Sequence, residues 1–241
     1  DNPDETPEIP LKIAVVGRPN AGKSTLVNAL LGEDRVITSP MPGATRDSIT
    51  LDWEYGGRKF RLVDTAGLRK RSKVVDVLEK SSTSESIRAI RLAQIVILVI
   101  DGTLSLDKQD LAIADHVIKE GRALVIAVNK WDAVENKDEK IGEVRDRMLR
   151  SLGQLPEAPL VTLSAIKGKK LDVLMERLMD TYQTWNSRVA TGPLNRWLAA
   201  QESHHPAPLV QGWPNRLRYI TQIKTRPPTF ALWVSRPKAL P

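Results

Sequence analysis

A chain of 241 residues with 41% apolar and 27% charged side chains has the balance of a globular protein with a real core, not that of a disordered or membrane chain. No apolar run reaches the roughly 18 residues that a membrane-spanning helix needs, so no membrane partner is expected; without cysteine, disulfides and thiolate metal sites are excluded as well. The net charge of +7 is unevenly placed: residues 1–187 hold 28 basic and 28 acidic side chains, while residues 188–241 hold 8 basic ones, a single acid (Glu202) and eight of the 16 prolines.

Residues 1–10 are acidic and Pro-rich, the opposite of a secretory leader, and read as a linker on a cytoplasmic chain. Residues 11–17 (LKIAVVG) form an apolar run rich in Val and Ile, followed by a Gly-bearing loop and a helical stretch, 23–31, that Gly32 stops. Residues 49–55 and 59–64 alternate apolar and polar side chains across Gly56-Gly57, which predicts a hairpin with a two-residue turn. Further strands are expected at 95–101, 123–129 and 160–164, with helices between them and a last helix carrying Leu171, Leu174, Met175, Leu178, Met179 and Tyr182 on one face. Alternating strands and helices predict an α/β domain over 11–186, a mostly parallel sheet with helices on both faces and ligands at the carboxyl ends of the strands. The remainder, 187–241, reads as a small α+β module with a helix near 194–201 and strands at 217–224 and 229–235.

Gly17-Arg18-Pro19-Asn20-Ala21-Gly22-Lys23-Ser24, followed by Thr25, has the P-loop spacing and lies between a strand and a helix. Such a loop turns backbone N–H groups toward a polyphosphate, and the next helix offers its positive N-terminal end to the same charge. Lys23 is then the residue for the β and γ phosphates, and the Ser24 hydroxyl a magnesium ligand. The nucleotide is indicated by Asn129-Lys130-Trp131-Asp132 at the end of an apolar run. A carboxylate such as Asp132 accepts two hydrogen bonds from the N–H and NH2 edge of guanine, whereas adenine offers no matching donors. The Lys130 stem is expected over the base plane and Asn129 between this loop and the P-loop. Ser164-Ala165 can offer a backbone N–H to the guanine oxygen.

Asp64-Thr65-Ala66-Gly67 stands between these motifs in chain order. Asp64 is the expected water-mediated magnesium partner, and the Gly67 N–H is placed to meet the γ phosphate. Thr45, in Pro42-Gly43-Ala44-Thr45-Arg46-Asp47, is the candidate first-switch ligand of magnesium. Leu68 stands where many GTPases carry a water-orienting glutamine, so hydrolysis needs another source of positive charge. The Asn20 carbonyl is the candidate ligand for a potassium ion, the alternative being that Asn20 only shapes the loop. Asp101, Asp107 and His116 read as structural.

These motifs in this order resemble the translation-factor-related GTPases, and Asn20 resembles the potassium-stimulated subgroup with Asn in the P-loop. Together with Asp-Thr-Ala-Gly-Leu-Arg-Lys-Arg, with Leu194-Asn195-Arg196-Trp197-Leu198 and with Arg218-Tyr219-Ile220-Thr221-Gln222-Ile223-Lys224-Thr225-Arg226-Pro227-Pro228, they look like the second G domain and KH-like module of the bacterial EngA/Der GTPases. The resemblance implies a P-loop GTPase three-layer fold followed by a KH-like module, GTP and GDP as ligands with magnesium, and a first G domain that is missing here. It also implies association with the large (50S) ribosomal subunit precursor and its rRNA, in whose maturation the family acts. The module is expected to be incomplete at its C-terminal end.

The clustered basic residues Arg188, Arg196, Arg216, Arg218, Lys224, Arg226, Arg236 and Lys238 support an RNA partner independently. No Gly-x-x-Gly loop of the kind that clamps single-stranded backbone occurs in 188–241. Trp197, Trp213, Tyr219, Phe230 and Trp233 read as the module's core in preference to base-stacking residues. Arg69-Lys70-Arg71 and Lys73 are either an RNA contact or a solvated loop. A protein-docking role for the basic module stays open beside the RNA role.

Overall fold

The computed structural model describes residues 9–32, 36–37, 51–63, 83–153, 158–206, 209 and 212–237. Thr45 and the segment from Asp64 to Leu68 lie outside the described residues, as do Arg69, Lys70, Arg71 and Lys73. The chain divides into two compact units, 1–182 and 183–241.

The first unit is built on a seven-stranded sheet of order β2-β3-β4-β1-β5-β6-β7. Its strands are β1 (Leu11–Val16), β2 (Val36–Ile37), β3 (Leu51–Tyr55), β4 (Arg58–Leu62), β5 (Ile95–Asp101), β6 (Ala123–Asn129) and β7 (Leu160–Thr162). β1 runs parallel to both β4 and β5, and β5-β6 and β6-β7 are also parallel. Only β2-β3 and β3-β4 are antiparallel. Every residue of β6 and six of the seven in β5 are buried, which is why both read as unbroken apolar runs: a central parallel strand is covered on both faces. The β3-β4 turn is Gly56-Gly57, with φ of 58° and 79°, the left-handed pair that a tight two-residue hairpin requires.

Helices α1 (Lys23–Leu31), α2 (Thr83–Leu92), α3 (Lys108–Lys119), α4 (Lys137–Ser151) and α5 (Leu171–Asn186) follow the strands. Ala89 and Ile90 of α2, Ala114 and Val117 of α3 and Val144 and Met148 of α4 form one cluster with Val96, Leu98, Leu124 and Ile126. Residues of α1, Val27 and Leu30, instead line a small apolar space with Ile13, Val15 and Ile97, whose side chains point to the opposite side of the same strands. The sheet is therefore the middle of three layers. Phe60, fully buried, stacks on Trp53 at 5.4 Å, a contact that contributes about 1 kcal/mol beyond its buried area.

The second unit holds α6 (Thr191–His204) and an antiparallel pair, β8 (Leu217–Lys224) and β9 (Thr229–Val234). Asn195 on α6 is bonded to the backbone of Ile220, its Nδ2 donating to the carbonyl (2.8 Å) and its Oδ1 accepting from the N–H (3.0 Å). The expectation that the aromatics form this unit's core is corrected: Trp197, Trp213, Tyr219, Phe230 and Trp233 are 54, 66, 42, 42 and 51% exposed. Leu198, Ile220, Gln222 and Asn215 are buried in their place. The cause is geometric, since Ile220 and Gln222 of β8 are buried while their cross-strand partners on β9, Leu232 and Phe230, remain open.

Candidate functional site

Parallel strands bring their carboxyl ends to one edge of the sheet, and three of the motifs lie there. The loop 17–22 follows β1, residues 130–132 follow β6, and Ser164-Ala165 follows β7. In the loop after β1, Gly17 has φ of 146° and a Cβ there would sit 2.2 Å from the Val99 carbonyl oxygen, so no other residue fits. Arg18 and Pro19 lead to Asn20, whose backbone is left-handed at φ 62°, and the Ala21 N–H closes the turn onto the Arg18 carbonyl at 3.4 Å. Asparagine tolerates that conformation better than most residues, a reason for its presence that stands beside the potassium reading and does not decide between them.

Gly22, at φ 89°, is followed directly by α1, whose first turn holds Lys23, Ser24 and Thr25. Lys23 is 3% exposed and its Nζ donates to the Arg18 carbonyl at 2.8 Å, so the ammonium is held inside the loop. Ser24 is 1% exposed at the same helix end. Ser24, Thr45 and Asp64 would supply an all-oxygen donor set, the chemistry a hard divalent cation such as magnesium takes.

Asn129 joins the three loops. Its Nδ2 donates to the Ala21 carbonyl (3.0 Å) and its Oδ1 accepts from the Ala165 N–H (3.0 Å), while the side chain is 3% exposed. A Cβ at position 22 would come within 2.3 Å of that Nδ2, so the second glycine of the P-loop is required by the asparagine beneath it. The following residues are pinned as well: the Trp131 N–H donates to the Leu163 carbonyl (3.0 Å) and the Ala133 N–H to Lys130 (2.9 Å), closing a short 3-10 turn over Trp131–Ala133. The Ser164 N–H pairs with Lys169 across an isolated bridge, so the strand expected at 160–164 stops at Thr162. The Asp132 carboxyl lies below its usual range, chiefly because Ser164 donates to it, with Lys167 Nζ a further 3.2 Å contact.

Three residues outside the motifs also shape the site. Asp101, at the end of β5, accepts from Lys130 Nζ at 2.7 Å; burial pushes its carboxyl up, but the bonds from Lys130 and Thr103 outweigh this and hold it below the ordinary range. Lys167 pairs with Asp132 through its ammonium. Asp110, 1% exposed, accepts from Arg18 Nε at 3.0 Å and from the Asp107 N–H at 3.1 Å. Burial is the main reason that the Asp110 carboxyl is pushed up, against the pull of Asp107 and Arg18. Asp107 is the N-cap of α3 and completes a capping box with Asp110, as its structural reading implied. The P-loop is thus tied to the start of α3.

That tie predicts a measurable asymmetry. Arg18→Ala leaves a buried carboxylate without its cation and is expected to cost about 3 kcal/mol in urea unfolding, whereas Arg18→Ala with Asp110→Asn recovers part of the loss. Equal stability of the single and double variants contradicts the pairing.

Comparison with known proteins follows the same division of the chain. Residues 12–130 match the family described as 50S ribosome-binding GTPase, and residues 188–241 match the KH-domain-like family of EngA bacterial GTPase enzymes, C-terminal. GTPase Der of Mesorhizobium japonicum is 52% identical over 232 residues, 96% of this chain and 48% of that protein. GTPase Der of Brucella anthropi is 51% identical over the same shares. Among solved structures, Era in complex with MgGDPNP and a segment of 16S ribosomal RNA superposes with a TM-score of 0.53 at 27% identity, covering 72% of this chain and 57% of that one. The elongation factor SelB from Methanococcus maripaludis, bound to GPPNHP, gives 0.55 at 14% identity over 76% and 36%, a likeness of fold alone. The fold is that of a P-loop GTPase, and the chain spans about half the length of the relatives it matches. Those matches and the joined nucleotide-loop motifs place the chain in the EngA/Der family of bacterial GTPases.

Proposed function

We propose that this chain binds guanine nucleotide, hydrolyses GTP to GDP and phosphate, and acts as a switch in assembly of the bacterial large ribosomal subunit. The observation that carries the first two parts is the Asn129 side chain, which bonds the P-loop at Ala21 and the Ser164-Ala165 loop at Ala165. A phosphate loop and a base-reading loop joined by one buried side chain make a single ligand site. In this reading residues 17–25 surround the phosphates, Asp132 reads the guanine edge and Lys130 lies along the base, while the Ala165 N–H, expected at the guanine oxygen, is taken by Asn129 Oδ1.

Magnesium, when bound, neutralises charge on the β and γ phosphates, and Ser24, Thr45 and Asp64 are the residues to hold it. Lys23 binds the same phosphates directly. Gly67 would meet the γ phosphate through its N–H. With Leu68 unable to orient water, the Asn20 carbonyl is assigned to a potassium ion at the phosphates; its left-handed backbone is a competing reason for the residue, and the two are separable. GTP turnover is expected to fall several-fold when sodium replaces potassium. Equal rates remove the ion and leave Asn20 as a loop-shaping residue.

The ribosomal part rests on the family and on the charge of residues 188–241, with 8 basic side chains against one acidic. Large-subunit precursors and their rRNA are the proposed partners, in the cytoplasm, with a first G domain in the longer family members. Fragment binding to precursor particles is expected to weaken steeply with salt and to lose slope on replacing Arg216, Arg218 and Lys224. Binding indifferent to salt points instead to a protein-docking role for the second unit.

A further inference from the structure

Asp101 was not expected to take part in ligand binding, yet its position is tightly specified. In the β5-β6 ladder Asp101 is the register partner of Asn129, so it ends its strand beside the first residue of the base-reading loop. Its two carboxylate oxygens have separate tasks. Oδ1 accepts from the Thr103 N–H (2.9 Å) and the Thr103 hydroxyl (2.6 Å), and Oδ2 accepts from Lys130 Nζ (2.7 Å). The Thr103 turn therefore fixes the carboxylate independently of the lysine.

Lys130 is held at its other end too. Its backbone is left-handed, φ 58° and ψ 29°, an uncommon conformation for lysine, and the bonds just after it, from the Ala133 N–H to the Lys130 carbonyl and from the Trp131 N–H to Leu163, keep it there. The flexible four-carbon stem thus runs between two fixed points, its Cα and its ammonium. The Asp101 side chain is 10% accessible and the Lys130 side chain 39%, so the anchor is shielded from water while part of the stem stays open to a ligand. A lysine in solvent samples many rotamers and must surrender them when a ring packs on it; this one has already done so.

We propose that Asp101 is a positioning residue for the purine: it fixes the Lys130 stem as a platform for the face of the base. The inference rests on the guanine reading above. A platform senses the face of a ring and is indifferent to its edge. Loss of Asp101 therefore weakens every purine that the site accepts by one common factor, whereas Asp132 controls the choice among edges.

The test is calorimetric titration of GDP, IDP and ADP into the chain, into Asp101→Asn, into Lys130→Met and into the double variant. Asp101→Asn keeps an oxygen for Thr103 while removing the charge that holds Lys130, and Lys130→Met keeps an apolar stem without the ammonium. Asp101→Asn is expected to weaken GDP and IDP equally, by about tenfold, the scale of one charged hydrogen bond, and to have no further effect in the Lys130→Met background. Unchanged GDP affinity in Asp101→Asn overturns the proposal. The same loss with Lys130→Met present overturns it as well, because Asp101 then acts through the Thr103 turn. So does a change in the ratio of GDP to IDP affinity, which would route the effect through Asp132. If the unaltered chain binds ADP as tightly as GDP, the guanine reading itself falls and this inference with it.

Discussion

Asp132→Asn is expected to turn a guanine site into a xanthine site. An ionised carboxylate only accepts hydrogen bonds, and the N1–H and 2-amino groups of guanine supply two donors. An aspartate is ionised throughout neutral pH, and the Ser164 bond holds the Asp132 carboxyl lower still, so the acceptor is always available. An amide at this position turns an NH2 donor toward the guanine amino group and leaves two donors facing each other. Xanthine carries an oxygen at that corner and accepts from the amide. GDP affinity is expected to fall by about 10² or more, since sites that recognise by hydrogen bonding reject a mismatched edge by up to about 10⁴ to 10⁵. XDP affinity is expected to rise in the same variant. Direct titration with both nucleotides checks this, and an unchanged GDP affinity contradicts the placement of Asp132.

Asn129→Ala is expected to have the largest effect on the site as a whole. Its amide bonds Ala21 in one loop and Ala165 in another, 108 and 36 residues away in sequence. Truncation leaves a buried carbonyl and a buried N–H without partners, at about 1 to 3 kcal/mol each. It also opens space beneath Gly22, where a Cβ would now be tolerated if φ allowed it. Part of the cost appears as lower resistance to urea. The rest appears as lost nucleotide affinity, because the phosphate loop and the base loops no longer hold one spacing. GDP affinity is expected to drop by more than about tenfold even when the variant is fully folded, the effect of misplacing groups that must act together. A folded Asn129→Ala protein with unaltered affinity contradicts the linking role.

Much of this arrangement is legible in the amino-acid sequence, for identifiable reasons. β5 and β6 are central parallel strands whose burial demands an unbroken apolar run, so their bounds, Ile95–Asp101 and Ala123–Asn129, follow from composition. The hairpin at Gly56-Gly57 follows from the only residue type that adopts two successive positive φ values without strain. β2 is not legible because two residues carry no periodicity; it exists only through pairing with Trp53 and Asp52. The helix expected at 194–201 begins at Thr191 and ends at His204, since Pro193 falls in its first turn, where the missing N–H has no intrahelical partner to lose.

The parts of the site that sequence reading passes over are those created by register. Asp101 and Lys130 are 29 residues apart, and Arg18 and Asp110 are 92 apart; nothing local marks either pair. Asp101 becomes meaningful only when the β5-β6 ladder sets it opposite Asn129. An acid at the end of one strand beside a lysine at the end of its neighbour is a signal that strand assignment and strand order together can recover. In the second unit the reading erred in a different way. Aromatic side chains are the usual choice for a small core, but α6 packs on β8 and leaves Phe230 and Leu232, on the same face of β9, 42 and 40% exposed, while Trp233 lies with its cross-strand partner Tyr219 on the opposite face and is 51% exposed.

The three loops at one sheet edge are proposed to form a guanine-specific triphosphate site. Single-turnover hydrolysis of GTP and ATP, compared side by side in magnesium and potassium, tests it most directly. Phosphate is expected to be released from GTP with ATP inert at the same concentration, and GTP turnover is expected to be lost in Asp132→Asn. Hydrolysis of ATP at a rate equal to that of GTP would contradict it.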